Sequence, residues 1–322
     1  MTPALGAAVG AASPEPAWWL WIVLTLIAAA SQTARNAMQK GLTTTVGTVG
    51  ATLVRFVFGL PFAAISLLLV VQFTGLALPR ITGEFVAWVA LGGLTQIAAT
   101  ALMLAAMRLR SFVVATAYVK TEAIQVALFA LLFLSEKLSP TAVAAIVAAT
   151  AGVFLMSWPR GVKQPAGAEQ GGSWQPVAMG LLAGTFFAGS AVGFKGAIMA
   201  LGAAADASGS FVLDATFTLV CGLVLQTVLM VVWQLFKDRA VLLAVLRAWR
   251  PSLGAGFMGA LGSQMWFLAF AIAATAHVRT LALVEILFAH ALTRRLFSQH
   301  TTRAELTGIV LVVVGALLLI NG

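Results

Sequence analysis

Charged side chains are scarce in this sequence. They make up 9% of its 322 residues, where a soluble domain of that length carries about a quarter. A water-soluble globular surface is therefore excluded, and a disordered or nucleic-acid-binding chain, which needs more charge still, is excluded with it. Cysteine occurs once, as Cys221 inside an apolar run, leaving no intramolecular disulfide and no cysteine-built metal site. The three histidines, His277, His290 and His300, are too scattered for a metal triad, and no His-Glu-x-x-His or paired-carboxylate motif lies beside them. The glycine-rich stretches lack the Gly-Lys-Ser/Thr of a P-loop, so nothing points to ATP as a driving force. No catalytic residues, metal or other cofactor are expected. A membrane-embedded enzyme would need a nucleophile with a base, or a metal cluster, at the bilayer edge, and neither is visible.

What the sequence has in abundance is apolar residue, 61% of the total. Runs of roughly 20 such residues, the length that spans a bilayer, fall near 18–39, 48–73, 84–107, 112–134 and 139–158, then near 174–200, 210–236, 252–275, 277–298 and 304–321. They lack the ten-residue alternation of a membrane barrel, and helices satisfy their own backbone groups in lipid. The predicted fold is an all-α membrane protein of ten transmembrane helices. Residues 1–17 form a polar leader without basic residues or a cleavage site after the first apolar run, and so are not read as a signal peptide. The Gly-, Gln- and Pro-containing segment 159–173 reads as a linker between a first unit, 18–158, and a second, 174–322.

A shift of 163 positions brings Gly93 onto Gly256, Ala106 onto Ala269, Glu122 onto Glu285, Ser135 onto Ser298 and Gly152 onto Gly315. A shift of 155 brings Trp19, Lys40 and Gly41 onto Trp174, Lys195 and Gly196, placing an insertion of 8 residues near 201–210. A five-helix repeat has an odd number of passes, so its second copy enters the membrane the other way up: two inverted repeats. Charge agrees with this. The connection after the second run holds Arg80, while its counterpart holds Lys237, Arg239, Arg247 and Arg250. Odd-numbered connections carry 12 basic residues and even-numbered ones 3 (Arg80, Lys137 and Arg279). The positive-inside rule then puts the odd connections in the cytoplasm and both termini on the outer or periplasmic side of a plasma membrane.

An ionisable side chain at bilayer depth costs about 2.5–3.5 kcal/mol on insertion scales, so each needs a partner, a cavity or a path to the interface. Glu122 shares a helical face of the fourth run with Tyr118, Gln125 and Phe129. A carboxylate, a phenol and an amide beside an aromatic wall suit a small polar solute; the alternative is a buried pair of Glu122 with Lys120 or an arginine of another helix. Its repeat mate Glu285 shares a face with Leu281, Phe288 and Leu292. That apolar setting makes Glu285 the candidate for proton coupling, with pairing to Arg279 or His277 as the alternative. Gln32, Arg35, Asn36 and Gln39 form a polar stripe on the first run. Against lipid it would be costly, so it lines a cavity or binds another helix; for Arg35, as for Lys40, snorkelling to the interface is the other outcome. Lys195, near the end of its run, is expected to snorkel. Arg55 is placed to receive a solute carboxylate or to pair with Glu122. Gln96 on the third run, and Gln264 and Trp266 on the eighth, complete the candidate solute contacts. Pro61 is expected to bend the second run.

The segment Thr121-Glu122-Ala123-Ile124-Gln125, continuing through Leu134-Ser135-Glu136-Lys137-Leu138-Ser139-Pro140, resembles the Gly-Glu-Lys/Arg-Leu-Ser turn of the EamA-domain permeases of the drug/metabolite transporter superfamily. Ser135 stands where that family usually has Gly. Ser298-Gln299-His300-Thr301-Thr302 is a weaker copy, and Val54-Arg55 resembles the family's Leu-Arg signal. The resemblance covers residues 18–321 and implies a carrier with a cavity between its halves, in many members a metabolite exporter. Within the superfamily it points to amino-acid exporters of the YddG type. Carriers of nucleotide sugars or of organic cations and drugs remain the alternatives, Arg35 and Arg55 weighing against a cation; a passive channel is the alternative of another class. The implied partners are a small-molecule substrate, the lipid bilayer and a second copy of the chain, not nucleic acid.

Overall fold

A computed structural model describes residues 17–109, 112–157, 174–204, 210–297 and 303–321. The leader, apart from Ala17, the linker and the 298–302 motif lie outside the described residues. Every regular element within them is helical. The first half runs α1 (Leu20–Val57), α2 (Leu60–Thr74), α3 (Gly83–Leu109), α4 (Phe112–Val119), α5 (Glu122–Leu134) and α6 (Pro140–Ser157). The second runs α7 (Gln175–Ala204), α8 (Phe211–Lys237), α9 (Arg239–Arg247), α10 (Trp249–Ile272), α11 (Thr275–Leu281), α12 (Glu285–Phe297) and α13 (Arg303–Asn321). Six described helical stretches are long and apolar enough to cross a membrane. The molecule is inside-out relative to a soluble protein: Leu68, Phe73, Leu132 and Phe236 are largely exposed, while Arg35, Arg55, Lys120, Glu122 and Glu285 are buried. Exposed apolar side chains have lipid as their solvent, and the buried polar ones must satisfy each other.

The predicted connection between the first two runs is not a loop. Helix α1 passes through it, broken at Gly47, whose φ of 70° and ψ of 177° are closed to residues with a side chain. Gln39 spans the break by donating to the Ala51 carbonyl at 2.7 Å. The second run is interrupted at Phe58–Gly59, and α2 restarts with Pro61 in its first turn. Proline there removes no helical hydrogen bond, but its ring would clash with the Val57 carbonyl if the helix continued unbroken.

Two further breaks position the site. Between α4 and α5, Thr121 N–H reaches back to Tyr118 and Ala123 N–H to Lys120, a tightened turn of i to i−3 bonds. Between α11 and α12 the chain forms a 3-10 turn, Ala282–Val284. Glu122 and Glu285 are the first residues after these breaks, and the bounds of α5 and α12 differ by 163 at both ends. Short 3-10 turns inside helices are common at hinges.

The main packing partners are α3 with α7, α1 with α10, and α6 with α13. The last pair meets through repeat-mate glycines. A Cβ on Gly152 would lie 2.6 Å from the Gly308 carbonyl oxygen, and one on Gly315 2.8 Å from that of Ala145. Small residues at such crossings let helix backbones touch, which replaces the hydrophobic drive that lipid does not supply.

Candidate functional site

The first helix brings three polar side chains to one buried place. Gln32 and Asn36, one turn apart, donate to the two oxygens of Glu285 at 2.9 and 3.2 Å. Lys120, at the α4–α5 break, donates to Glu285 Oε2 at 2.6 Å and lies 3.4 Å from Glu122 Oε1. Arg279 on α11 approaches the same Glu122 oxygen at 3.4 Å. Its guanidinium lies over the rings of Trp266 (4.7 Å) and Phe270 (5.3 Å), a cation–π seat. Trp266 donates its indole N–H to Gln32 Oε1 at 3.0 Å. Asn36 Oδ1 accepts from Arg35 Nη2 at 2.7 Å and Nε at 3.2 Å. The result is one continuous buried network, Arg35–Asn36–Glu285–Lys120–Glu122–Arg279, with Gln32 and Trp266 bridging its sides.

Several expectations need correcting. Glu285 is not in an apolar setting: both its oxygens only accept, from three donors on the first half of the chain, which is the pattern of a carboxylate. Its own helical face is greasy as expected, but α1 and the α4–α5 break supply the polar partners. The alternative for Glu122, a buried pair with Lys120 or an arginine of another helix, is what the geometry shows, with both partners present, whereas Glu285 pairs with Lys120 and not with Arg279 or His277. Tyr118 and Gln125 do not join Glu122 in a contact set. The helix breaks between Tyr118 and Glu122, Tyr118 packs its Cβ where a Cβ on Gly180 would come, and among the described residues no hydrogen bond links either residue to Glu122. The amide oxygen of Gln125 is buried without a partner.

Arg35 does not snorkel; it is fully buried. Lys195 does not snorkel either, since its ammonium donates to the carbonyls of Phe270 and Ala273 at the C-terminal end of α10, where a cation meets the negative end of the helix dipole. Arg55 is buried and donates to Thr100 Oγ1 at 2.9 Å rather than to Glu122. Gln96 and Gln264 lie in other contacts. Gln96 accepts from Gln226 at 2.8 Å, tying α3 to α8, and Gln264 donates to Thr216 at 2.8 Å, tying α10 to α8.

Lys120 and Arg279 enter the sequence reading only as partners, although they hold the network together. The available signal was the basic residue two positions before Glu122 and six before Glu285, each just ahead of a helix break. Glu136 is a further functional-looking residue that was not foreseen. Its carboxylate accepts from Thr275 N–H (2.9 Å) and Oγ1 (3.0 Å), so the first half's Ser-Glu-Lys turn caps α11 of the second half. Near the same helix a cavity of about 470 Å³ is lined by Trp18, Trp21, Ile272 and His277. It lies two residues from Arg279 along α11. Among the described residues no three His, Cys, Asp or Glu side chains are grouped to hold a metal.

A polar, ion-paired interior inside an apolar helical shell defines a multi-pass membrane protein. The sequence comparison adds a likeness: residues 19–158 are similar to the EamA-like transporter family. A solved crystal structure of another protein superposes on 95% of this chain and 96% of its own with a TM-score of 0.62. At 14% identity that likeness is one of fold. No curated protein matches the sequence.

Proposed function

We propose that the chain is a secondary transporter that exports small polar metabolites, amino acids first among them, across a bacterial plasma membrane by alternating access of two inverted five-helix halves. The observation that carries this reading is the network just described. Five of its contacts cross between the halves: Glu285 with Gln32, Asn36 and Lys120, Arg279 with Glu122, and Trp266 with Gln32. Rocking one half against the other has to open these contacts, and a solute with its own charges and hydrogen-bonding groups can take their place.

Two features support ten passes in inverted repeat. The half-helices α4–α5 and α11–α12 each add up to the length of one span, and the strongest packing pairs obey the repeat, since the relation that takes α1 to α7 and α10 to α3 turns α1·α10 into α7·α3. The charge asymmetry of the connections supports both termini outside. Glu285 keeps its place as the coupling candidate in altered form: a proton delivered to it would dissolve its pair with Lys120 and so favour separation of the halves.

The test is counterflow. Proteoliposomes preloaded with single amino acids are expected to take up the same labelled solute saturably, and a pH gradient is expected to change the rate in wild type but not in Glu285→Gln. Failure of every amino acid to support counterflow would remove them as substrates, and non-saturable flux without counterflow would mark a channel.

A further inference from the structure

The network contains more positive charge than it neutralises. Lys120 and Arg279 share the carboxylates Glu122 and Glu285. Among the described residues neither Arg35 nor Arg55 forms an ion pair, although the charges of Glu285 and Glu122, already shared with Lys120 and Arg279, also bear on Arg35. The guanidinium of Arg35 rests on the neutral Asn36 Oδ1, and its Nη1 is buried without an acceptor. The guanidinium of Arg55 rests on the neutral Thr100 hydroxyl, and the charges that bear on it are those of Arg35 and Arg279, both cations. Four buried cations thus face two carboxylates.

The two arginines are neighbours. A Cβ on Gly259 of α10 would lie 3.2 Å from Arg35 Cδ and 3.7 Å from Arg55 Cγ, so both side chains pass over a residue that has no side chain of its own. Like charges held side by side away from water are strongly unfavourable unless an opposite charge joins them. A guanidinium nitrogen without an acceptor, deep in the protein, is a donor waiting for an oxygen.

We propose that Arg35 and Arg55, lying over Gly259, are the seat for the anionic part of the transported solute, and that this solute carries two negative oxygen charges, as a dicarboxylate or a phosphate monoester does. This rests on the carrier reading above and narrows its substrate class. Within amino acids it selects the acidic ones over the neutral ones. The solute supplies the two charges that the protein leaves out, and the absent side chain at Gly259 is what lets both arginines lie together.

The test is ligand-induced thermal stabilisation of the full-length protein in detergent, with glutamate, succinate, inorganic phosphate and glutamine as probes. Glutamate and succinate are expected to raise the melting midpoint saturably, and glutamine, which lacks the second charge, is not. Arg55→Gln and Gly259→Val should each weaken the apparent affinity about tenfold or more; Gly259→Val retains both charges and displaces the two side chains that pass over it, so it guards against a loss that comes only from removing a charge. A shift with phosphate but not with the dicarboxylates keeps the seat and assigns it to a phosphate ester. An equal shift with glutamine, no shift with any anion, or shifts unchanged in both variants would overturn the proposal. Its failure is separable from that of the carrier reading: binding without counterflow retains the seat and removes the carrier, while counterflow indifferent to both substitutions retains the carrier and removes the seat.

Discussion

Lys120 stands between two carboxylates that would otherwise repel each other, with Glu285 at 2.6 Å and Glu122 at 3.4 Å. Removing one member of a buried pair leaves an uncompensated charge and costs about 3–5 kcal/mol. Lys120→Met is therefore expected to lower the thermal midpoint steeply, and Lys120→Met combined with Glu285→Gln to recover much of the loss; a double variant no better than the single would show that the pair is not what stabilises this region. Ser135 makes the opposite kind of prediction. It ends α5 with φ 54° and ψ 25°, the left-handed conformation that favours glycine. Ser135→Gly should raise stability by about 1 kcal/mol, measured as a higher midpoint without change in transport. This strain was legible in the sequence as a Ser where related turns carry Gly. The buried polar residues were legible too, because intramembrane charge is rare enough that each instance stands out. Their partners were not: a helical face read from spacing shows what Glu285 shares with its own helix, and the groups that meet it come from α1 and the α4–α5 break.

At the scale of elements, apolar runs marked where helices lie and Pro61 marked the interruption of the second, but the breaks ahead of Glu122 and Glu285 went unseen. Ala282, Leu283 and Val284 are as apolar as any helix interior, and the 3-10 turn they form still bonds its own backbone, so neither composition nor periodicity registers it. Helix α9 was missed for the converse reason. Arg239 and Arg247 at its ends made it look like a charged loop, while Asp238 caps it by accepting from Ala240 N–H at 2.9 Å. The cap on α11 is unusual in crossing from one half to the other. Glu136→Ala should cost about 1 kcal/mol and speed amide hydrogen exchange across Thr275–Leu281, whereas unchanged exchange there would show that the helix holds its end without Glu136. The α6–α13 crossing has no room for a side chain at Gly152, so Gly152→Leu is expected to separate the pair and lower the folded yield, an effect absent at Gly41, where a Cβ meets nothing within 4 Å.

For the molecule as a whole, the positions of Glu122 and Glu285 one repeat apart, each opening a half-helix, link the sequence repeat to the buried network. The repeat is imperfect where it bears charge. Arg279 corresponds to Thr116 and Lys120 to Leu283, so each half contributes one cation that the other lacks; Glu285 is paired across the boundary, and Glu122 both across it, with Arg279, and within its own half, with Lys120. On the proposed alternating-access reading, the network is a contact that exists in one arrangement of the halves and must be remade in another. The most direct measurement is therefore of two-sided access to it. Thr116 is buried one turn before Lys120, and its hydroxyl has no partner. In a Cys221→Ser, Thr116→Cys protein that retains counterflow, membrane-impermeant thiol reagents applied from either side of the vesicle should both label the new cysteine, and saturating solute should slow both reactions. Labelling from one side alone, or labelling indifferent to solute in a protein that still transports, would contradict alternating access at this network.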